Sequence, residues 1–172
     1  VTPDSAQSKT YGAADPTFTY SVSPALVGTD SLTGALSRVT GSNVGTYAIT
    51  QGTVTTANNS NYTVTFSGTP VDFTINKLAV TVTPDSAQSK TYGAADPTFT
   101  YSVSPALVGT DSLTGALSRV TGSNVGTYAI TQGTVTTANN SNYTVTFSGT
   151  PVDFTINKLA VTVTPDSAQS KT

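Results

Sequence analysis

The sequence predicts an all-β fold made of two identical tandem small β modules, arranged end to end as a rod. The 172-residue chain repeats with a spacing of 81 residues: residues 1–81 and 82–162 are identical, and residues 163–172 begin a third copy. Short runs of alternating apolar and polar residues are separated by Gly, Pro and Asn turns. About seven such runs per copy, with no helical period, predict a module that is sandwich-like or β-grasp-related.

The boundary between the copies lies at Asn76 and Lys77, where the hydrophobic alternation changes phase. Apolar residues occupy odd positions up to Ile75 and even positions from Leu78 onward. Because successive side chains of a strand point to opposite faces, this change moves the buried side to the other face. We therefore predict that one strand ends a module at Ile75 and that another opens the next module at Leu78, with almost no linker. The predicted domains are 1–77, 78–158 and 159–172, the last being the first strand and turn of an incomplete third repeat.

The remaining elements of a repeat follow in order. Residues 9–12 form a short extended piece, and 17–23 alternate Phe18, Tyr20 and Val22 with Thr and Ser until Pro24 ends the strand. Gly and Asp in 25–34 favour a loop. The later predicted strands are 35–39 with Arg38 at an edge or facing solvent, 46–51 with a continuation over 53–56, 62–66, and a hairpin partner at 71–75.

The inward positions of these strands give a predicted core. It comprises Phe18, Tyr20, Leu26, Leu32, Leu36, Tyr47, Ile49, Tyr62, Val64, Phe66, Phe73, Ile75, Val80 and Val82.

Composition excludes several functional classes. The chain has no Cys and no His, which removes disulfides, thiolate metal sites and the Ser-His-Asp and Cys-His catalytic arrangements. The Asp residues of a repeat lie far apart in sequence, so we predict that the protein is not an enzyme and has no catalytic residues. A net charge of −2 argues against nucleic-acid binding, and the lack of a long apolar run argues against membrane insertion of this segment. The absence of the easily oxidised Cys and Met fits an extracellular protein.

The junction of Asn76, Lys77 and Leu78 contains residues that could form a calcium site or an isopeptide crosslink, two features found in surface proteins. Asp72 and Asp85 flank it and are weak candidates for calcium ligands, but no DxDxD-like cluster is present, so solvated Asp side chains and no metal or cofactor are favoured. A Lys-Asn isopeptide crosslink at Lys77 and Asn76 needs a buried Lys, and a solvated Lys is the favoured interpretation.

The repeat resembles a known family. The string KTYGAADPTFTYSVSPALVGTDSLTGALSRVTGSNVGTYAI, followed by NYTVTFSG and FTI, is similar to the bacterial MBG repeat of the YGX type. The residues that carry the resemblance are Tyr11 and Gly12, Asp15 and Pro16, Leu32 to Gly34, Asn43 to Tyr47, and Asn61 and Tyr62. The resemblance implies a surface or secreted bacterial protein of the kind found in filamentous-haemagglutinin-like adhesins, and it supplies no catalytic motif.

The favoured function is therefore a structural spacer or stalk of an extracellular adhesin or surface fibre. Identical copies cannot divide labour between binding and scaffolding, but they extend reach. The alternative is a binding module whose weak contact with a host or environmental glycan or protein gains from multivalency. Tyr11 and Tyr20 are able to stack on a sugar, although packing within the module is the favoured role.

The ends of the sequence suggest self-association. The first copy begins without the Leu-Ala-Val-Thr that precedes Val82, while Leu159, Val161 and Val163 continue the alternation after the second copy. An apolar strand and a vacant sheet edge are complementary. We predict that Leu159, Val161 and Val163 belong to an inter-chain strand that joins neighbouring chains head to tail.

Overall fold

The chain adopts an all-β fold, as the sequence predicts. A computed structural model describes residues 1–168, 170 and 171, so Gln169 and Thr172 of the incomplete third repeat lie outside the described residues. The described residues contain short 3₁₀ turns at Thr56–Asn58 and Thr137–Asn139 but no α-helix. Consequently, no helix in this part of the chain has the length and hydropathy needed to cross a bilayer.

Thirteen strands make up the two repeats. The strands of the first repeat are β1 (Thr2–Pro3), β2 (Ser8–Thr10), β3 (Tyr20–Ser21), β4 (Ser37–Arg38), β5 (Gly45–Thr50) and β6 (Asp72–Asn76). The strands of the second repeat are β7 (Leu78–Pro84), β8 (Ser89–Thr91), β9 (Tyr101–Ser104), β10 (Ser118–Arg119), β11 (Gly126–Thr131), β12 (Tyr143–Phe147) and β13 (Asp153–Asn157).

The second repeat is a two-sheet module. One sheet has the order β10-β11-β13-β8, and the other has the order β12-β7-β9. The outer pairs β13–β8 and β12–β7 are parallel, whereas the remaining pairs are antiparallel. Both sheets contribute side chains to one hydrophobic cluster, which makes the module sandwich-like.

The first repeat has the same four-stranded sheet but a reduced second sheet. The order β2-β6-β5-β4 reproduces that of the second repeat, while the second sheet consists of β1 and β3 alone. Residues 62–66, which match β12, lie outside any strand. The physical reason is that β7 supplies the parallel partner of β12 through five residue pairs, and the first copy begins at the position that matches Val82.

The two repeats have separate hydrophobic clusters. Phe73 and Ile75 are fully buried in the first cluster, and Val80 and Val82 are buried in the second. Strand β6 ends at Asn76, and β7 begins at Leu78, so Lys77 alone separates them. The predicted strand start at Leu78 is confirmed, and the predicted strand end at Ile75 lies one residue before the observed end of β6.

Two predictions about local structure are wrong. Residues 62–66 and 71–75 do not form a hairpin, because β12 and β13 lie in different sheets of the second repeat. Residues 53–56 do not continue β5; a turn leads instead into the 3₁₀ turn at Thr56–Asn58. This turn places Val54 in the core with no exposed surface, a position that the predicted core lacked.

The prediction that Arg38 lies at an edge or faces solvent is half right. Strand β4 is an edge strand, but only 11% of the Arg38 side chain is exposed. Arg38 Nε lies 2.7 Å from Asp15 Oδ2, and Lys9 Nζ lies 2.6 Å from Asp15 Oδ1. The guanidinium also lies 5.0 Å from the centre of the Tyr47 ring. Arg38 therefore closes the edge of the sheet as part of a Lys-Asp-Arg ion triad.

Candidate functional site: the interface between the two repeats

The candidate site is the interface at which the two repeats meet, where side chains of both repeats form hydrogen bonds and an aromatic contact. The first repeat contributes the turns that follow β2 and precede β5, and the second contributes the loop after β9 and the start of β12. We call the first set the distal face and the second set the proximal face. The distal face comprises Tyr11, Gly12, Asn43 and Val44, and the proximal face comprises Val108, Asp111, Asn142 and Tyr143.

A carboxylate joins two tyrosines across the interface. Asp111 Oδ2 accepts hydrogen bonds from the Tyr143 hydroxyl at 2.6 Å and from the Tyr11 hydroxyl at 2.8 Å. The two rings meet edge to face, with centroids 5.5 Å apart and an angle of 81° between their planes. Tyr11 packs against the hydrophobic clusters of both repeats. This side chain therefore bridges the two cores.

The proton positions in this group are well defined near neutral pH. Hydrogen bonds from Tyr143 and Tyr11 lower the pKa of Asp111 below its ordinary value of 3.8. Burial, reinforced by the bond to Asp111, raises the pKa of Tyr143 to about 12, and the bond to Asp111 also raises the pKa of Tyr11 above 10.0. Near neutral pH, Asp111 is thus an ionised acceptor and both tyrosines are protonated donors.

Asn142 fixes the loop of the first repeat against the second. Its side-chain oxygen accepts a hydrogen bond from the Val44 amide at 3.0 Å, and its side-chain nitrogen donates to Asn43 Oδ1 at 3.0 Å. The main-chain oxygen of Asn142 also accepts from the Leu78 amide at 3.1 Å. One residue therefore holds both the distal face and the strand that opens the second repeat.

Gly12 allows the two backbones to approach. It has φ +84°, and a Cβ built on it would overlap Cγ2 of Val108. The matching residue of the second repeat, Gly93, has φ +87° and no atom within 4 Å of such a Cβ. The backbone conformation thus belongs to the repeat itself, whereas the close contact belongs to the interface.

The predicted junction residues lie beside this interface, and two of them, Asn76 and Leu78, form main-chain hydrogen bonds with its residues. Asn76 ends β6, and its main-chain oxygen accepts a hydrogen bond from the Tyr11 amide at 2.8 Å. Lys77 is exposed, and Leu78 is half-buried at the start of β7. These three residues connect the modules, while the side chains of the two faces make the contacts between them.

The weak metal candidates are not brought together with further acidic ligands. Asp72 and Asp85 are both exposed. Across residues 1–168, 170 and 171, no group of three or more His, Cys, Asp or Glu side chains is placed to hold a metal ion.

The proposed inter-chain strand is strongly exposed. Leu159, Val161 and Val163 are 57%, 80% and 87% exposed, and they lie outside any strand. Their counterparts in the second repeat, Val80 and Val82, are buried in β7. The third counterpart, Leu78, is half-buried, so all three positions are less exposed in β7 than at residues 159–163.

Sequence reasoning missed the side chains that make the interface. The sequence predicts that Tyr11 packs within its own module and that the Asp matching Asp111 belongs to a loop. These residues occupy turns, where alternation carries no information, and identical copies hide which copy is in contact. The one available signal is Gly12, since glycine in a turn allows a positive φ and a close approach of a neighbouring backbone, although the identical Gly93 makes no such contact.

The family comparison matches both repeats. The family described as MBG domain (YGX type) matches residues 1–72 and 80–153. Neither the comparison with curated proteins nor that with solved structures gives a match. Together the two matched ranges cover most of the 172 residues, one range in each repeat. The chain therefore belongs to the MBG domain family of the YGX type and carries two copies of that domain in tandem.

Proposed function

We propose that the two modules, residues 1–77 and 78–158, act as a stiff spacer in the stalk of an extracellular bacterial adhesin or surface fibre. The observation that carries the proposal is the short junction: one residue, Lys77, separates β6 from β7. Membership of a family of structural repeats from surface proteins supports the same role.

Stiffness has a physical basis in this junction. A flexible linker lets domains reorient, but a one-residue connection between two strands has little freedom. The bonds of Asp111 to Tyr11 and of Asn142 to Asn43 and Val44 oppose the rotation that remains. Each of these contacts joins residues about 100 positions apart in sequence, so bending at Lys77 breaks several of them together.

Distance measurements between the modules test this proposal. The chain has no Cys, so spin labels at Ser5→Cys and Ser86→Cys, two exposed matching positions, report the inter-module distance when labelled chains are diluted with unlabelled ones. We expect a narrow distance distribution that broadens when Gly-Ser-Gly-Ser is inserted after Lys77. The same insertion after the exposed Gly149, inside the second module, is the control and should leave the distribution narrow. A native distribution as broad as that of the Lys77 insertion rules out the spacer role.

We also propose that chains join head to tail by strand complementation. In the second module, β7 lies between β12 and β9, and its Val80 and Val82 are buried. In the first module, a groove of about 300 Å³ lies along residues 62–65, with Val22, Leu26 and Leu32 in its wall. Val1 also lines this groove.

The second module indicates how the groove would be filled. Residues 159–162 of another chain repeat the sequence of residues 78–81, and Val163 repeats Val1. Strand addition of this kind combines main-chain hydrogen bonds with pockets for alternate side chains. Leu159 and Val161 would enter the groove, Val163 would replace Val1, and Ala160 would face outward as the exposed Ala79 does.

Sedimentation of charged variants tests the strand. Deletion of residues 159–172 should abolish end-to-end association, and Val161→Asp in the full chain should do the same because it places a charge in an apolar groove. Ala160→Asp, one residue earlier and on the opposite side, is the matched control and should associate like the native chain. If all of these proteins associate equally, strand complementation is excluded.

A further inference from the structure

Each module repeats the residues of one face of the internal interface, and most of these repeated residues are exposed. The second module ends in a free distal face of Tyr92, Gly93, Asn124 and Val125, in which Tyr92 is 48% and Val125 is 45% exposed. The first module begins with a free proximal face of Val27, Asp30, Asn61 and Tyr62, in which Val27 is 74% exposed. Their counterparts Tyr11, Val44 and Val108 are all half-buried at the internal interface.

The free proximal face is already shaped for binding. Tyr62 donates a hydrogen bond to Asp30 Oδ2 at 2.6 Å and accepts one from the Val27 amide at 3.1 Å. The engaged proximal face has the same arrangement, with Tyr143 bonded to Asp111 at 2.6 Å and to the Val108 amide at 3.0 Å. The carboxylate is thus held in position before a second tyrosine arrives, which lowers the ordering cost of association.

The free distal face is continuous with the exposed strand. Tyr92, Asn124 and Val125 border a depression of about 470 Å³ whose other side is formed by Lys158, Leu159 and Val161. At the internal interface, Asn142 accepts hydrogen bonds from the matching residues of both: from Val44 of the distal face and from Leu78 of β7. A partner that takes the strand therefore meets the distal face in the same step.

We infer that the free distal face of one chain binds the free proximal face of a second copy of this chain, reproducing the internal interface between molecules. Tyr92 donates to Asp30 of the second copy, Gly93 packs against its Val27, and its Asn61 bonds to the turn at Asn124. This inference rests on the proposed head-to-tail association and names the side-chain surface that orients it. The interface is heterologous, since two different faces meet, so each bound copy leaves one face of either kind available for a further copy.

Two single variants test the surface without disturbing the fold. Tyr92→Ala removes the hydroxyl and ring from the distal face, and Val27→Asp places a charge opposite Gly93 on the proximal face. Both side chains are largely exposed, so folding should be retained, which circular dichroism checks. Each variant should weaken association measured by sedimentation velocity by about tenfold or more. Val39→Asp, at a 50% exposed position that belongs to neither face, is the matched control and should associate like the native chain.

A mixing experiment tests the polarity of the contact. Each single variant retains one intact face, so an equimolar mixture of Tyr92→Ala and Val27→Asp chains should form one-to-one dimers and no larger species. The dimer uses the distal face of the Val27→Asp chain and the proximal face of the Tyr92→Ala chain. A mixture that stays as weakly associated as the separate variants overturns the inference.

The outcomes separate this inference from strand complementation. If Val161→Asp abolishes association while Tyr92→Ala and Val27→Asp bind like the native chain, the strand proposal stands and the face inference is wrong. If the face variants weaken association and Val161→Asp has no effect, the faces bind without the strand and strand complementation is wrong.

Discussion

Substitution of Val82 provides the sharpest test of how the modules are built. The same residue occurs three times: Val1 is half-buried, Val82 has no exposed surface, and Val163 is 87% exposed. We predict that Val82→Ala strongly destabilises the second module, whereas Val163→Ala leaves the stability of the isolated chain unchanged. The identical sequence around the two sites removes local propensity as an explanation for any difference.

The size of the effect follows from the burial of Val82. Val→Ala removes two carbons, which costs ~1.6 kcal/mol of transfer free energy at ~0.8 kcal/mol each. A residual cavity of ~40 Å³ adds ~1 kcal/mol, which gives a total of ~2.6 kcal/mol. For a domain of this size, such a loss lowers the midpoint of thermal unfolding by roughly 10–20 °C.

Scanning calorimetry measures this effect, and hydrogen exchange assigns the shifted transition to the second module. The measurement is made at low protein concentration, so that association between chains does not add stability. Equal shifts for Val82→Ala and Val163→Ala would refute the placement of β7 in the core of the second module. A loss below ~0.5 kcal/mol for Val82→Ala, the range of ordinary surface substitutions, would refute it as well.

Three further predictions concern single sites. Hydrogen bonds from its Arg and Lys partners lower the pKa of Asp96 from 3.8 to about 2, so its stabilising effect is complete above 3.8 and disappears as the pH falls through about 2. Asp96→Asn should flatten the dependence of unfolding free energy on pH in that window, by an amount that solvent screening keeps small because 36% of the side chain is exposed. The Asn140 side chain is 6% exposed and makes three hydrogen bonds. Asn140→Ala should therefore lower the free energy of unfolding, measured in urea, by about 3 kcal/mol. Gly12→Ala should broaden the inter-module distance distribution through its overlap with Val108, whereas Gly93→Ala, with similar φ strain, should not; equal broadening would contradict the packing at Gly12.

The fold class and the strand boundary at the junction could be predicted because both depend on alternation. Phe73 and Ile75 face one core, Val80 and Val82 face the other, and the change of phase between them is written in consecutive residues. Alternation does not say which sheet a strand joins. Alternation is therefore equally compatible with a hairpin of residues 62–66, although their counterpart β12 pairs in parallel with β7, which begins 65 residues earlier.

The interface could be predicted only in part, because its contacts come from turns. The connection beside it, Asn76, Lys77 and Leu78, follows from the phase change. Tyr11 and Asp111 do not, since a turn residue that packs on a neighbouring module has the same local sequence as one that faces water. Val54 was missed for a related reason: its neighbours are Thr and Gly, and a single buried side chain in a turn forms no pattern.

The heterologous form of the interface has a consequence for how the length of such a protein changes. Each unit has one distal and one proximal face, so every junction in a row of units is the same. Because the period is 81 residues, removing or duplicating any 81 consecutive residues leaves the same sequence on both sides of the cut. Recombination between copies can therefore shorten or lengthen the chain while every remaining contact keeps its original chemistry. Reach then becomes a quantity that varies in whole steps, independently of the stability of each unit.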